Sequence, residues 1–146
     1  MRHDDAHPLD MSSVEGSCLC GAVRFRAATE IRRVVNCHCG LCRRMNGSAF
    51  SSYAVVPYSA LEVVGSSDLG AYAVTQRATK HYCRRCGTPL FNLNSRYAGA
   101  CMLYLGAIEN CSDFAPALNV YCESMLSWLE TVTSLEGFQA GVERDA

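Results

Sequence analysis

The chain has 146 residues, 49% of them hydrophobic, which is enough to enclose one hydrophobic core. Thirteen basic residues face 14 acidic ones, for a formal net charge of −1, so bulk charge gives no footprint for nucleic acid or an anionic membrane. No apolar run approaches the ~18 residues of a transmembrane helix, and the polar opening MRHDDAHPLDMSSVEG has no apolar stretch of signal-peptide length.

Residues 1–15 show no periodicity and read as a leader, in which Met11 is an alternative start. A single domain is expected over 16–137, followed by a tail at 138–146. Within the domain the pattern is one of short strands. AVRFRA (22–27) alternates, with Val23 and Phe25 on one face and Arg24 and Arg26 on the other. SAFSSYAVVP (48–57) is strand-like and stops at Pro57, and ALEVVG (60–65) alternates and stops at Gly65. AYAVTQ (71–76) and PLFNLN (89–94) are short strand candidates. GACMLYLGAI (99–108) reads as a buried strand, and ALNVYCES (117–124) alternates through Leu118, Val120 and Cys122. Helical turns are expected after Cys42, over RRMNG, and around 125–131. The spacing predicts a mainly β domain with few short helical turns.

Ten cysteines stand out in a chain of this length. With no secretory signal the expected compartment is the reducing cytoplasm, where cysteine points to metal or catalysis rather than to disulfides. Seven of the ten fall in three clusters: Cys18-Leu-Cys20, Cys37-His-Cys39-Gly-Leu-Cys42 and Cys83-Arg-Arg-Cys86. A structural zinc takes four ligands, commonly thiolates from two short pairs far apart in sequence. Cys18/Cys20 and Cys83/Cys86 make such a set. On an extended chain Cys-x-Cys can point both sulfurs to one side, and Cys-x-x-Cys does so across a tight turn that Gly87 relaxes. The competing reading is buried free thiols, which do not require paired spacing.

Cys37, Cys39 and Cys42 then remain. Three protein ligands and an exchangeable position mark a catalytic zinc. His38 is a possible fourth ligand, although alternation points it away from the side used by Cys37 and Cys39. Closure by another cysteine or a carboxylate would make the site structural only. Arg43 and Arg44 follow Cys42, and Arg84 and Arg85 lie within the last pair. They can moderate thiolate charge or meet the carboxylates of an anionic substrate, or they are ordinary solvated surface arginines. His81 and Tyr53 are the candidate bases, on proximity to the motifs alone. Of the remaining cysteines, Cys101 and Cys122 sit in apolar contexts that suggest burial, and Cys111 sits at a turn.

The stretches GSCLCGAVRF, NCHCGLCRRMNGSAF, HYCRRCGTPLF and, more weakly, NVYCESMLSWLE resemble the glutathione-dependent formaldehyde-activating enzyme family, also called the centromere protein V/formaldehyde-activating family. They span about residues 16–130. The resemblance implies a small zinc-stapled β-sheet domain with two Zn²⁺ per chain. Cys18, Cys20, Cys83 and Cys86 would hold the structural ion, and Cys37, Cys39 and Cys42 the labile, catalytic one. It also implies carbon–sulfur lyase chemistry, in which a small thiol such as glutathione adds to formaldehyde, or the reverse. Arg43 and Arg44 are then candidates for the carboxylates of the thiol. The family often has His and Lys where this chain has Asn119 and Met125, whereas Ser124 and Trp128 match. Two other readings compete: a non-catalytic zinc module that binds a partner, and a methionine sulfoxide reductase of the B type. The second needs an exposed cysteine outside the zinc pairs.

Overall fold

The computed structural model describes residues 12–142, in which two sheets share one core. The smaller sheet has three antiparallel strands in the order β1 (Val14–Ser17), β2 (Arg24–Ala27), β5 (Leu61–Val64). The larger sheet has seven. From one edge they are β10 (Leu118–Val120), β3 (Arg33–Cys37), β4 (Ser51–Pro57), β9 (Ala100–Tyr104), β8 (Pro89–Asn94), β7 (Ala78–Cys83) and β6 (Leu69–Ala73). All neighbours run antiparallel except β10, which lies parallel to β3.

Alternation builds the core. Val23, Phe25 and Ala27 point inward from the smaller sheet, while Arg24 and Arg26 stay exposed. Val34, Ala54, Val56, Leu90, Cys101 and Leu103 meet them from the larger sheet. The intervening residues of β4 and β9 necessarily face the other way. There Tyr53 and Tyr104 form a second buried cluster with Cys37. The one α-helix among the described residues, α1 (Gly40–Asn46), is tied to this side of β4. Ser51, fully buried, donates its hydroxyl to Cys42 O (3.0 Å). Lys80 donates from β7 to Met45 O, one of the orphan carbonyls of the last helical turn.

β2, β5 and β8 fall where alternation or composition predicts. Three strands were not anticipated. β1 begins at Val14, inside the stretch read as a leader, and residues 1–11 lie outside those described. β3 ends in the cysteine motif, and β7 (ATKHYC) is polar and only half-buried until Cys83. The strand read at 71–76 instead runs over 69–73, because Val74 and Thr75 turn back to bond Ala78. The helix after Cys42 starts earlier than RRMNG, at Gly40, and the turn expected around 125–131 is a 3-10 segment, Ser127–Ser134. Beyond it, residues 138–142 have no strand or helix and are exposed, and residues 143–146 lie outside those described. No helix among the described residues is long and apolar enough to cross a membrane.

Candidate metal centres

The seven clustered cysteines divide in space as counting divides them. Cys18, Cys20, Cys83 and Cys86 bring their sulfurs within 4.8 Å of one another, and so do Cys37, Cys39 and Cys42, so each group could hold a metal ion. All ten cysteines are free.

In the four-cysteine group, Cys18-Leu-Cys20 is a turn after β1 rather than an extended segment. Cys18 N donates to Val23 O, and Gly21 N to Cys18 O. The turn still brings the two sulfurs together, 3.6 Å apart, with Cys18 buried and Cys20 exposed. Opposite it, β7 ends at Cys83 and the chain reverses through Arg84–Cys86. Gly87 sits at φ +79°, the left-handed conformation that only glycine takes freely, and donates to Cys83 O. Cys20 and Cys83 stand 3.8 Å apart. Thr88, absent from the sequence expectation, joins the two turns. Its hydroxyl accepts from Leu19 N (3.0 Å) and lies 3.1 Å from Cys86 Sγ. That hydroxyl, followed by backbone N–H groups, pulls the Cys86 thiol down to about 5. Arg85 pairs with Asp68 (3.0 Å), bracing the hairpin.

The three-cysteine group is built by one segment. Cys37 closes β3, Cys39 caps α1 and Cys42 lies in its first turn, with Cys42 N donating to Cys39 Sγ (3.3 Å). Gly47, at φ +66°, ends the helix and donates back to Arg43 O. Cys42 donates through sulfur to Cys37 (3.3 Å). This contact brings the Cys37 thiol down to about 6 and holds the remaining proton on Cys42. His38 is buried and turned away. Its Nε2 donates to Asn119 Oδ1 (2.9 Å), which also accepts from Asn36 (3.3 Å). Asn119 therefore takes up two polar side chains of β3 and the cysteine loop.

Arg43 donates from one nitrogen to His38 O and Ser124 O, both at 2.7 Å. It clamps the segment after β10 to the cysteine loop. Arg44 is exposed on the helix. Tyr53 lies at the group itself and donates to Cys42 Sγ (3.3 Å). Burial pushes its hydroxyl far above the ordinary tyrosine range, so it is a donor rather than a base. His81 stacks on Phe91 (4.4 Å between centroids) on the sheet face opposite Lys80, away from the three cysteines. Asn92 and Tyr104 complete the polar surroundings and were not anticipated. Asn92 donates to the Tyr53 oxygen (3.1 Å), and Tyr104 donates to Asn92 Oδ1 (3.2 Å).

Of the unclustered cysteines, Cys101 is buried as expected, and burial pushes its thiol up to about 12. Cys111 is exposed in a short turn. Cys122 is exposed too, contrary to expectation, because β10 stops at Val120 and the chain turns before the alternation reaches it.

A family model described as glutathione-dependent formaldehyde-activating enzyme matches residues 13–124. An uncharacterized lyase of Schizosaccharomyces pombe is 32% identical over 81 residues, 56% of this chain and 58% of that protein, so the match spans little more than half of the relative. A putative glutathione-dependent formaldehyde-activating enzyme of Halomonas elongata is 28% identical over 127 residues, 80% of each chain. A crystal structure of a Rhodobacter sphaeroides protein superposes with a TM-score of 0.60 at 24% identity, covering 73% of this chain and 99% of that one, and shows the same fold.

Proposed function

Because the chain belongs to the glutathione-dependent formaldehyde-activating enzyme family, we propose that it joins a small thiol of the glutathione type to formaldehyde or a related carbonyl, or runs the reverse carbon–sulfur cleavage. The observation that carries this reading is the unequal pair of donor sets, four sulfurs and three. Sulfurs that share a tetrahedral zinc stand about 3.8 Å apart, given Zn–S bonds of ~2.3 Å. The separations of 3.6 and 3.8 Å in one cluster suit that ion, and the 3.3 Å between Cys37 and Cys42 is close to it. An all-sulfur set also favours zinc over hard cations. Cys18, Cys20, Cys83 and Cys86 would hold a structural zinc, and Cys37, Cys39 and Cys42 a second one. The second zinc would supply a lowered thiol pKa, so that a substrate sulfur is ionised at neutral pH.

The chain's own residues orient the reactants. Arg43 fixes the segment after β10 against the cysteine loop, and its remaining N–H groups together with Arg44 are the cations proposed for the thiol's carboxylates. In the reaction the thiol S–H bond breaks and the sulfur pair forms a bond to the carbonyl carbon. The C=O π pair moves onto oxygen, which takes up a proton. The product is an S-(hydroxymethyl) adduct, and no oxidant or reductant is consumed. Cysteines that serve as metal ligands rather than in disulfides suit a reducing compartment, which supports a cytoplasmic place of work.

Cobalt substitution tests the reading, since sulfur-to-cobalt charge-transfer bands report each added thiolate. Glutathione is expected to change the spectrum of the fully loaded protein, with half-saturation in the micromolar to millimolar range of about 1 μM–1 mM usual for metabolite sites. S-methylglutathione, whose sulfur cannot ionise, is expected to leave it unchanged. A spectrum indifferent to glutathione would replace the enzyme reading with that of a binding module.

A further inference from the structure

Three strands of the larger sheet contribute one residue each to a hydrogen-bonded chain that ends on a cysteine. Tyr53 and Tyr104 are register partners on β4 and β9, with rings 4.9 Å apart, and Asn92 comes from β8. Every donor in the chain points the same way: Tyr104 O–H to Asn92 Oδ1, Asn92 Nδ2 to the Tyr53 oxygen, and Tyr53 O–H to Cys42 Sγ. The Asn92 amide sets this direction. Its nitrogen can only donate, so the Tyr53 oxygen accepts there and its single proton is left for sulfur. Tyr53 and Tyr104 are 6% and 2% exposed, so water does not compete for these bonds. Cys37 and Cys39 receive their N–H donors from within the cysteine loop. Cys42 is the sulfur whose donor comes from the sheet.

We propose that Tyr53 is a positioning residue for the thiol reaction, its hydroxyl proton aimed by Asn92 and Tyr104 so that it orients Cys42 Sγ and withdraws charge from it. This rests on the reading of Cys37, Cys39 and Cys42 as ligands of a thiol-accepting metal. The physical reason is charge. Each thiolate adds negative charge to the site, and an incoming thiolate must join those already there. A donor on one sulfur offsets part of that charge and makes room for the newcomer, as partners of metal ligands do generally. The chain also explains why a buried polar patch persists on a sheet face that could have been apolar, since each of its members is satisfied.

The test compares cobalt-loaded wild type with Tyr53→Phe, Asn92→Leu and Tyr104→Phe. Without its hydrogen bond the sulfur is more electron-rich, so the charge-transfer band moves to lower energy in Tyr53→Phe. It moves less in Asn92→Leu and least in Tyr104→Phe. Half-saturating glutathione rises in the same order, by about tenfold for Tyr53→Phe. A purely structural role would lower thermal stability and leave the band in place. Tyr53→Phe keeps the ring packed on Tyr104, and if it fails to fold, the other two variants carry the test, since neither side chain hydrogen-bonds a cysteine. An unmoved band in the folded variants overturns the inference. That result is expected if the Asn92 amide is turned around, for Tyr53 would then donate to Asn92 instead of to sulfur. A wild-type spectrum indifferent to glutathione overturns the thiol reading of the function, and the band shifts alone then judge this inference.

Discussion

The two cysteine clusters offer similar ligands to a metal but relate to the fold in opposite ways. Cys18 and Cys83 are 2% and 0% exposed and belong to the main core, and their group joins segments 63 residues apart, counted from Cys20 to Cys83. Cys37, Cys39 and Cys42 belong to one segment, first and last separated by five positions, on the far face of the larger sheet. Closing the longer loop removes more freedom from the unfolded chain, by about 2 kcal/mol on the logarithmic dependence of closure entropy on length. The first cluster thus fastens distant parts of the domain. The second shapes a local loop that β3, β4 and the Arg43 clamp already hold. On the proposed reading, all-sulfur ligation would serve stability in one place and leave reactivity available in the other.

Mutating one cysteine in each cluster is the most direct way to break this contrast. Cys83→Ser is expected to abolish the cooperative thermal transition, because it opens the cross-link and leaves a hydroxyl in the core. Cys42→Ser is expected to melt cooperatively within about 2–8 °C of wild type, the shift that about 1–2 kcal/mol produces. Elemental analysis should show that it has lost one of its roughly two zinc ions per chain. Equal collapse of both variants would make the second cluster structural as well.

Thr88→Val sharpens the comparison without touching a ligand. It removes the hydroxyl between Leu19 N and Cys86 Sγ, and should lower stability by about 1 kcal/mol, read from denaturant midpoints at constant slope. The three-cysteine cluster should keep its cobalt spectrum in this variant.

The smallest effects are expected from the spare thiols. A maleimide probe on the metal-loaded protein should label Cys111 and Cys122 and spare Cys101. Replacing either exposed cysteine with serine should change stability by less than about 0.5 kcal/mol. Loss of metal from Cys122→Ser would instead draw that residue into the three-cysteine site.

What could be read from the sequence follows from where the information resides. Cysteine spacing is local, so the division of seven residues into four and three was open to counting. So was the alternation of Val23 and Phe25 against Arg24 and Arg26. β3 and β7 escaped because their apolar pattern is broken by polar residues, Asn36 in one and Thr79, Lys80 and His81 in the other. The chain from Tyr104 to Cys42 had no sequence signal. It depends on the registers of β4, β9 and β8, which bring together residues 39 and 12 positions apart. Arg43 looked like a free cation and is half-committed to the backbone, and only the path of residues 118–124 beside α1 could reveal that.

That path gives the protein an order of assembly. β10 lies parallel to β3, so it arrives by a crossover from the far end of the domain rather than through a hairpin. During synthesis the four-cysteine cluster has all its cysteines once Cys86 has left the ribosome. Cys37, Cys39 and Cys42 emerge earlier, yet their loop stays uncovered until Leu118–Ser124 docks: Val120 O has not met His38 N, and Ser124 O has not met Arg43. The three-cysteine set is thus complete before the four-cysteine set and sheltered after it. In a growing chain its thiols remain uncovered for the time needed to translate about 80 further residues, about 4–16 s at ~5–20 residues per second.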